Sequence, residues 1–296
     1  MEITVLMPVL NGGVHLVPQL ESLADQSHLP TRLILSDDGS SDGTLARARA
    51  FARRAPFEVR ILTGPRQGYA ANVLSLLHVA PGGAVAYCDQ DDIWAKDRIA
   101  RGLAALRRIE DPALHVVARR PFGGRRLGDR RGGARPCPFA TALVQNLAPA
   151  NATLLNPAAA AAMRRGAGRL AIPPPFPDWW AYGLITGMDG RVLFDAAPGV
   201  FYRDHGANFL GSARSFAGIR RRVGYLCDGS FGSWLRQNTR ALNAVSDMLS
   251  PAARDRLSRF SAALAAGRGA GWLALADRAD VAEWMLLRVA ASLRLV

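Results

Sequence analysis

The sequence predicts an α/β fold in which helices cover both faces of a mostly parallel sheet. Short apolar or β-branched runs alternate with helical segments over the first 118 residues, and acidic clusters follow two of the runs. Strand–helix repeats of this length are typical of parallel sheets. Ligands of such sheets bind at the carboxyl ends of the strands. The acidic clusters Asp37-Asp38 and Asp89–Asp92 are therefore expected at a ligand-binding edge.

Each expected element has a local signal. Leucines at positions 16, 20 and 23 give the first helix an apolar face, and Ser41 and Asp42 are capping residues for the second. The predicted strands are 3–7, 32–36, 57–62, 84–88, 114–118, 152–155 and 191–194. The predicted helices are 14–26, 41–54, 70–79, 96–108, 157–164 and 178–186. Beyond about residue 212 the pattern is helical, with Trp234, Trp272 and Trp284 as expected anchors.

Composition limits the class of protein. The 296 residues carry a net charge of +13, yet Lys96 is the only lysine. Such an arginine bias reflects genome composition as readily as function, so it does not by itself predict a nucleic-acid partner. The cysteines, Cys88, Cys137 and Cys227, show no metal or disulfide spacing, which fits a cytoplasmic protein. The sequence shows neither a signal peptide nor an apolar run of 18 residues, so no transmembrane helix is expected.

Residues 119–135 interrupt the alternation with seven arginines and five glycines among 17 residues. The simpler interpretation is a solvated surface loop, since charge runs are usually loops or tails. The functional interpretation is contact with phosphate or with an anionic acceptor.

The stretch S-D-D-G-S-S-D-G-T spans residues 36–44. A strand–turn–helix connection explains Gly39 and Ser40 but leaves the adjacent Asp37 and Asp38 without a partner. A carboxylate here would accept a hydrogen bond from the N3–H group of uracil or thymine. Cytosine lacks that proton, so one carboxylate is enough to select the base.

The stretch D-Q-D-D at 89–92 predicts a site for a hard divalent cation, because Mg²⁺ and Mn²⁺ prefer oxygen ligands. The cation would join the carboxylates to a diphosphate and stabilise a nucleoside diphosphate as leaving group. Carboxylates this close repel each other, so positive charge is expected among them. The alternative is an acidic helix start, with Asp92 or Asp97 complementing the dipole of the helix at 96–108.

Three motifs resemble the GT-A fold, family-2 inverting glycosyltransferases: P-V-L-N (8–11), the 36–44 stretch and D-Q-D-D-I-W-A-K-D-R-I (89–99). The D-Q-D-D-I-W form resembles most the rhamnosyltransferase-like branch, together with V-Q-N-L-A-P-A-N-A-T-L-L-N (144–156), P-D-W-W-A-Y (177–182) and Y-R-D-H-G-A-N-F-L-G (202–211). The resemblance covers about residues 1–212 in motif order, which makes chance agreement improbable.

The resemblance implies a metal-dependent transferase that moves a sugar from a dTDP- or UDP-sugar, with Mg²⁺ or Mn²⁺ as cofactor. It implies a catalytic domain over 1–212, with a nucleotide-sugar half at about 1–118 and an acceptor half at about 136–212, before a helical region at 213–296. The resemblance also implies a role for each site residue. Pro8 and Asn11 would lie near the nucleoside, Asp38 would bind the pyrimidine, Asp89 would face the ribose, and Gly68 would let the backbone pass close to the nucleotide. Asp91 and His205 would bind the metal, and Asp178 would be the catalytic base.

Several of these residues have simpler interpretations. Asp178 suits a helix N-cap, Gly68 a turn and His205 an ordinary loop. Trp179 and Trp180 suit either the core or a surface on which a sugar ring stacks.

Some positions depart from the family pattern. Pro177 precedes Asp178, where relatives often have an acidic residue or histidine, and residues 119–135 are more basic than usual. Either departure would alter the acceptor site rather than the donor site.

Two other functions compete. A sugar-phosphate nucleotidyltransferase would need a longer glycine-rich loop with basic residues than Asn11-Gly12-Gly13 offers. A non-catalytic polyanion-binding module would need aromatic residues among the arginines, and residues 119–135 contain only Phe122.

The acceptor is expected to be a glycan or a lipid-linked glycan. The helical region has three candidate roles: packing on the catalytic domain, forming a homodimer, or lying on the inner face of the membrane. Arginines at 214 and 220–222 near Phe216 and Ile219 are compatible with the membrane role. Packing of the helical region on the catalytic domain is the simplest of the three roles and is the one we expect.

Overall fold

The structure is a computed structural model that describes residues 1–122, 139–203 and 216–266. Most of the arginine-rich segment lies outside these ranges. So do the predicted metal ligand His205 and the predicted anchors Trp272 and Trp284.

The described strands form one eight-stranded sheet in the order β3-β2-β1-β4-β7-β6-β8-β5. The strands are β1 (Ile3–Val9), β2 (Arg32–Asp37), β3 (Glu58–Thr63), β4 (Ala84–Tyr87), β5 (Ile93–Trp94), β6 (Ala113–Phe122), β7 (Thr153–Leu155) and β8 (Arg191–Arg203). Strand β7 is antiparallel to both β4 and β6, so β6 and β8 run in the same direction as β1 to β4. Strand β5 is antiparallel to β8. The predicted mostly parallel α/β sheet is confirmed.

The described residues form ten α-helices. They are α1 (Leu16–Ala24), α2 (Thr44–Ala52), α3 (Tyr69–Val79), α4 (Arg98–Leu106), α5 (Phe139–Ala142), α6 (Pro157–Ala167), α7 (Pro177–Gly187), α8 (Phe216–Cys227), α9 (Ser230–Asn243) and α10 (Pro251–Ala265). Helices α1 and α2 connect β1 to β2 and β2 to β3, and these strands follow one another toward one edge of the sheet. Helix α3 connects β3 to β4, which lies on the other side of β1. Because such crossovers are right-handed, the reversal places α3 on the opposite face from α1 and α2.

The core follows from the burial of the central strands. All seven residues of β1 are buried, which is typical of a parallel strand covered on both faces. At the sheet edge, β3 has no buried residue. Helix α4 buries Ile99, Leu103 and Leu106 along one stripe, as its 3.6-residue period requires.

The described chain divides into two compact units. The first contains residues 1–122, 148–168 and 190–203 and holds the whole sheet. The second contains residues 139–147, 169–189 and 216–266 and is helical. The predicted limits of the catalytic domain and its halves stay a prediction.

The second unit is built around α7. The indole of Trp179 donates a hydrogen bond to the carbonyl oxygen of Ala142 at 2.6 Å and stacks on Phe231. Phe176 meets Trp234 edge to face, with ring centroids 5.1 Å apart. Trp179 and Trp180 are buried, so the core interpretation of this pair is confirmed. The ring contacts of Trp234 also confirm its predicted role as an anchor.

Within the three described ranges, every helix is too short or too polar to cross a bilayer.

Candidate active site

The strand order reverses between β1 and β4, because the chain returns from β3 to the other side of β1. The carboxyl ends of β2, β1 and β4 therefore lie side by side at one edge of the sheet. These three ends lead into the S-D-D-G, P-V-L-N and D-Q-D-D motifs, respectively. Ligands of open parallel sheets bind in the crevice at such a reversal.

Side chains tie the three motifs together. The Gln90 amide pairs with the backbone of Leu10, accepting from its N–H at 3.0 Å and donating to its carbonyl oxygen at 3.1 Å. The Asn11 backbone N–H donates to Ser40 Oγ at 2.8 Å, and the Ser41 N–H donates to Asn11 Oδ1 at 2.9 Å. The predicted nucleoside residue Asn11 thus has a structural role at this edge.

The first of the paired aspartates closes a turn. Asp37 is buried, and its Oδ2 accepts hydrogen bonds from the backbone N–H groups of Gly39 and Ser40 at 3.2 and 3.1 Å. Such side-chain-to-backbone bonds are typical of aspartate after a strand. Asp37 therefore has the partner that the sequence did not reveal.

The second aspartate faces the loop between β3 and α3. Asp38 is half-buried, and its two oxygens accept the backbone N–H groups of Arg66 at 2.7 Å and Gly68 at 2.9 Å. Gly68 has φ +87° and ψ 175°, a conformation that strains any residue with a side chain. Each carboxylate oxygen has two lone pairs, so Asp38 retains the capacity to accept a further N–H group from a ligand.

Asp92 anchors the acidic loop, which we define as residues 89–92. Its carboxylate is buried, accepts from Asn151 Nδ2 at 2.6 Å and accepts from the Arg203 backbone N–H at 3.4 Å. Burial raises the pKa of Asp92, and the Asn151 hydrogen bond opposes that rise. Arg203 Nε also donates to the Asp91 carbonyl oxygen at 3.2 Å. Asn151 and Arg203 belong to the motifs at 144–156 and 202–211, but the sequence did not predict a role for either residue.

A buried arginine, Arg98, brings positive charge near Asp89 and Asp92. Its guanidinium lies 3.5 Å above the centre of the Trp94 ring and is buried. Arg98 is the first residue of α4, the helix that follows the acidic loop and β5. Arginine stacked on an aromatic face is a stabilising arrangement.

The start of the arginine-rich segment differs from the prediction. Residues 119–122 continue β6 instead of beginning a loop, because β8 pairs with them as far as Phe122 opposite Arg203. Arg119 lies over the Tyr202 ring at 5.6 Å, and Arg203 lies over Phe122 at 5.1 Å.

The donor atoms at the acidic loop limit the kind of metal site that fits. Over the described ranges, the structure contains no group of three or more His, Cys, Asp or Glu side chains suited to a metal. Mg²⁺ and Mn²⁺ sites in nucleotide enzymes often use one or two carboxylates, with phosphate oxygens and water completing the coordination. The carboxylate oxygens of the acidic loop fit such a shared site, and they do not fit a cage made by the protein alone.

Asp178 lies in the second unit, in the first turn of α7. Its Oδ2 accepts from Asn146 Nδ2 at 2.9 Å, and its Oδ1 accepts the Trp179 backbone N–H at 2.9 Å. The N-cap position of α7 is Phe176, so the interpretation of Asp178 as the N-cap is wrong. An aspartate in the first turn still complements the helix dipole.

Fold and edge together define a glycosyltransferase of the GT-A class, in which a mostly parallel sheet presents acidic residues at its strand ends. The chain belongs to glycosyl transferase family 2, whose family model matches residues 4–167, more than half of its length.

Similar proteins support this assignment. The chain is 24% identical over 259 residues to the dTDP-rhamnosyl transferase RfbG of Shigella flexneri, a match that covers 81% of this chain and 85% of the relative. The structure of S. aureus TarS 1–349 in complex with UDP-GlcNAc superposes with a TM-score of 0.63 at 15% identity, covering 98% of this chain and 79% of that one. The mannosyltransferase PcManGT from Pyrobaculum calidifontis, in complex with GDP-Man and Mn²⁺, gives a TM-score of 0.51 at 18% identity, covering 99% and 86%.

Proposed function

We propose that this protein is a metal-dependent, inverting glycosyltransferase. It moves a sugar from a dTDP- or UDP-sugar to a hydroxyl group of a glycan or glycolipid acceptor in surface polysaccharide biosynthesis. The observation that carries the proposal is the hydrogen-bonded meeting of the P-V-L-N, S-D-D-G and D-Q-D-D motifs at the carboxyl ends of three adjacent strands. The similarity to a dTDP-rhamnosyl transferase makes rhamnose the first sugar to test.

The pyrimidine end of the donor is assigned to the edge formed by β1 and β2. Asp38 accepts the N3–H group of uracil or thymine while the loop that contains Gly68 holds its carboxylate in place. Pro8 lies in β1 and Asn11 lies just after it, and both are assigned to the nucleoside. Cytosine nucleotides are expected to bind more weakly, because cytosine lacks the N3–H group.

The diphosphate end is assigned to the acidic loop. Asp89 contacts ribose, and Asp91 is the ligand for Mg²⁺ or Mn²⁺, with His205 as a second ligand outside the described residues. A bound cation supplies charge stabilisation for the departing diphosphate. Asp92 holds the loop through Asn151 and contacts no substrate.

Asp178 is assigned the role of catalytic base. An acceptor hydroxyl is a weak nucleophile at neutral pH, so a carboxylate within about 3 Å of it is needed to take its proton. The hydroxyl oxygen then forms a bond to the anomeric carbon, and the bond to the diphosphate breaks on the opposite side, which inverts the configuration. The Asn146 amide fixes the orientation of the Asp178 carboxylate.

Family membership favours glycosyl transfer over the nucleotidyltransferase and polyanion-binding interpretations. A cytoplasmic protein that works at the inner face of the membrane would reach a lipid-linked acceptor. Membrane contact and dimer formation by the helical region belong to the proposal as well.

The proposal is tested with a panel of dTDP-, UDP-, GDP- and CDP-sugars, each with Mg²⁺ or Mn²⁺. We expect dTDP- or UDP-sugars to raise the melting temperature and to undergo slow metal-dependent hydrolysis to the nucleoside diphosphate. Absence of binding and turnover across the whole panel would refute the proposal.

One substitution tests the assigned metal ligand. Asp91→Ala is expected to abolish the metal-dependent part of dTDP binding, because the cation loses its protein ligand, and isothermal titration calorimetry measures it. Asp97→Ala is the matched control, since Asp97 is exposed and belongs to the same 89–99 motif but lies outside the acidic loop. Equal metal-dependent affinity in Asp91→Ala and the unaltered protein would show that the ligand is another residue.

A further inference from the structure

Arg98 is a buried cation whose terminal nitrogens are unsatisfied. Its exposed fraction is only 2%, and neither Nη1 nor Nη2 has a hydrogen-bond acceptor within the described part of the chain. Most buried polar groups in proteins are hydrogen-bonded, so an exception calls for a specific explanation.

Charged groups of both signs lie near Arg98. Burial lowers the pKa of Arg98 to about 9; the charges of Asp92 and Asp89 oppose that change, and the charge of Arg101 adds to it. The nearby Cys88 thiol is neutral at pH 7, because burial raises its pKa. Arg98 is therefore protonated at neutral pH, close enough to both ends of the acidic loop to interact with their charges. The guanidinium is also clamped flat against Trp94, which itself follows the loop.

The stacking on Trp94 offsets only part of the cost of burying the Arg98 charge. A buried charge without hydrogen-bonding partners loses its hydration, and replacement of buried ionic groups by apolar side chains of similar size is often neutral or stabilising. Methionine would fill much of the same space against Trp94. The charge of Arg98 therefore needs a reason other than packing.

We propose that Arg98 is a positioning residue of the donor site. Its guanidinium, stacked on Trp94, is the fixed countercharge that holds the acidic loop in the arrangement that binds a divalent cation and a nucleoside diphosphate. Arg98 contacts neither ligand and acts through the carboxylates. This inference rests on the proposed function.

The test compares Arg98→Met and Arg98→Lys with the unaltered protein. Binding of Mn²⁺ at saturating dTDP is followed by the electron paramagnetic resonance signal of free Mn²⁺, and the melting temperature is measured in parallel. Residues that orient metal ligands typically change metal affinity 10- to 100-fold, so Arg98→Met should weaken Mn²⁺ binding by about that factor. Its melting temperature should stay equal or rise.

Arg98→Lys distinguishes charge from packing. Lysine keeps the positive charge but loses the planar stacking surface, so it should recover a substantial part of the lost Mn²⁺ affinity. If Arg98→Met folds and binds Mn²⁺ as the unaltered protein does, or if Arg98→Lys binds no better than Arg98→Met, the inference is wrong. If Arg98→Met fails to fold, Arg98→Lys alone tests the inference. A reduction of Mn²⁺ affinity by less than tenfold in Arg98→Lys supports the positioning role of Arg98, and complete loss of Mn²⁺ binding overturns it.

Arg101→Met is the matched control, because it removes a charge from the same helix at a side chain paired with Asp195 and Asp97 instead of the acidic loop. It should leave Mn²⁺ affinity unchanged. Failure of the unaltered protein to bind Mn²⁺ and any nucleoside diphosphate would reject the proposed function, which is a different outcome from equal binding by Arg98→Met.

Discussion

The carboxylates of Asp37 and Asp38 accept different hydrogen bonds although the two residues are adjacent. Asp37 fixes the turn after β2, whereas Asp38 reaches the backbone of residues 66 and 68, about thirty positions later. A substitution at Asp37 would therefore disturb the local turn. A substitution at Asp38 would change both a loop contact and the group offered to a nucleobase.

Asp38→Asn is expected to alter base selectivity. Asparagine has one acceptor oxygen and presents an N–H donor where the carboxylate accepted, so it repels the N3–H group of uracil and suits the unprotonated N3 of cytosine. We expect dTDP and UDP binding to weaken by about 1–3 kcal/mol and the preference over CDP to shrink. Calorimetric titration with the three nucleotides measures the change.

Asp42→Asn is the control for that variant. Asp42 belongs to the same motif, but its carboxylate accepts from the Thr44 hydroxyl and backbone N–H at the start of α2. These bonds lower the pKa of Asp42. Base selectivity should stay the same in Asp42→Asn, and an equal shift in both variants would contradict the assignment of Asp38.

Asp178→Asn is expected to reduce transfer by about 10²- to 10⁴-fold, which is the usual contribution of a general base. Donor affinity should be unchanged, because the proposed donor residues belong to the other unit. Single-turnover transfer and nucleotide titration separate the two effects. Asp189→Asn is the control, since Asp189 is exposed in the same unit and asparagine tolerates its φ of +57°. Full transfer activity in Asp178→Asn would remove Asp178 from the mechanism.

The sequence predicts strand-end residues better than it predicts their partners. Asp38, Asp89 and Asp91 follow apolar runs, and that pattern alone assigns them to a ligand-binding edge. The Asp92–Asn151 hydrogen bond joins residues 59 positions apart and depends on the completed sheet. No local pattern encodes such a pairing.

At the scale of elements, local periodicity located most strands and helices to within a few residues. It missed β5, because two residues carry no periodic signal. It also ended β8 at residue 194, although the strand continues to Arg203. Pro198 and Gly199 suggest a break, but the ladder with β6 absorbs them through shifts in register.

A partly buried polar cluster joins α4 to strands β6 and β8. Arg101 Nη1 lies 2.6 Å from Asp195 Oδ2, and His115 Nε2 lies 3.7 Å from the same oxygen. Burial lowers the pKa of His115 to about 4, while the Asp195 charge opposes the shift and the nearby Arg98 and Arg101 charges add to it. Folded His115 is therefore neutral at pH values where the unfolded chain is protonated.

This cluster predicts a loss of stability in mild acid. Below pH 6.5 the unfolded chain binds a proton that folded His115 does not bind until about pH 4. The free energy of unfolding therefore falls as the pH is lowered through that interval, by about 2 kcal/mol between pH 7 and pH 5. In urea denaturation, the free energy of unfolding of His115→Gln should not show this fall between pH 7 and pH 5. His78→Gln changes an exposed position in the last turn of α3 and should show the same fall as the unaltered protein. Identical pH dependence in all three proteins would contradict the burial of a neutral histidine.

At the scale of the whole molecule, each compact unit is assembled from separate stretches of chain. The sheet recruits residues 148–168 and 190–203, while the intervening residues 169–189 join the helical unit. Sequence patterns report neighbours along the chain, so they do not reveal which separate stretches pack into one unit. The proposed roles divide in the same way, with donor residues in the first unit and Asp178 in the second.

Gly187→Ala tests that division. A Cβ atom at Gly187 would lie 2.8 Å from Leu249 Cδ2 and 3.1 Å from Phe139 Cε2, within the helical unit. Overpacking of this kind costs about 1–3 kcal/mol. We expect a lower melting temperature and slower transfer, with nucleotide affinity unchanged in calorimetric titrations.

Gly224→Ala is the matched control, because a Cβ atom at this position in α8 would meet no described atom within 4 Å outside the neighbouring backbone of its own helix. Alanine is the better helix former, so stability should stay equal or rise slightly. A loss of nucleotide affinity in Gly187→Ala comparable to its loss of transfer would contradict the division of roles.

The pairing of β5 with β8 has a consequence for the order in which the protein matures during its synthesis. The acidic loop leaves the ribosome more than a hundred residues before Arg203, whose backbone and side chain fasten it. A nascent chain that has folded only its first four strands carries the aspartates but lacks this fastening. The loop therefore reaches its final arrangement late in translation, and a chain that stops before β8 never acquires it.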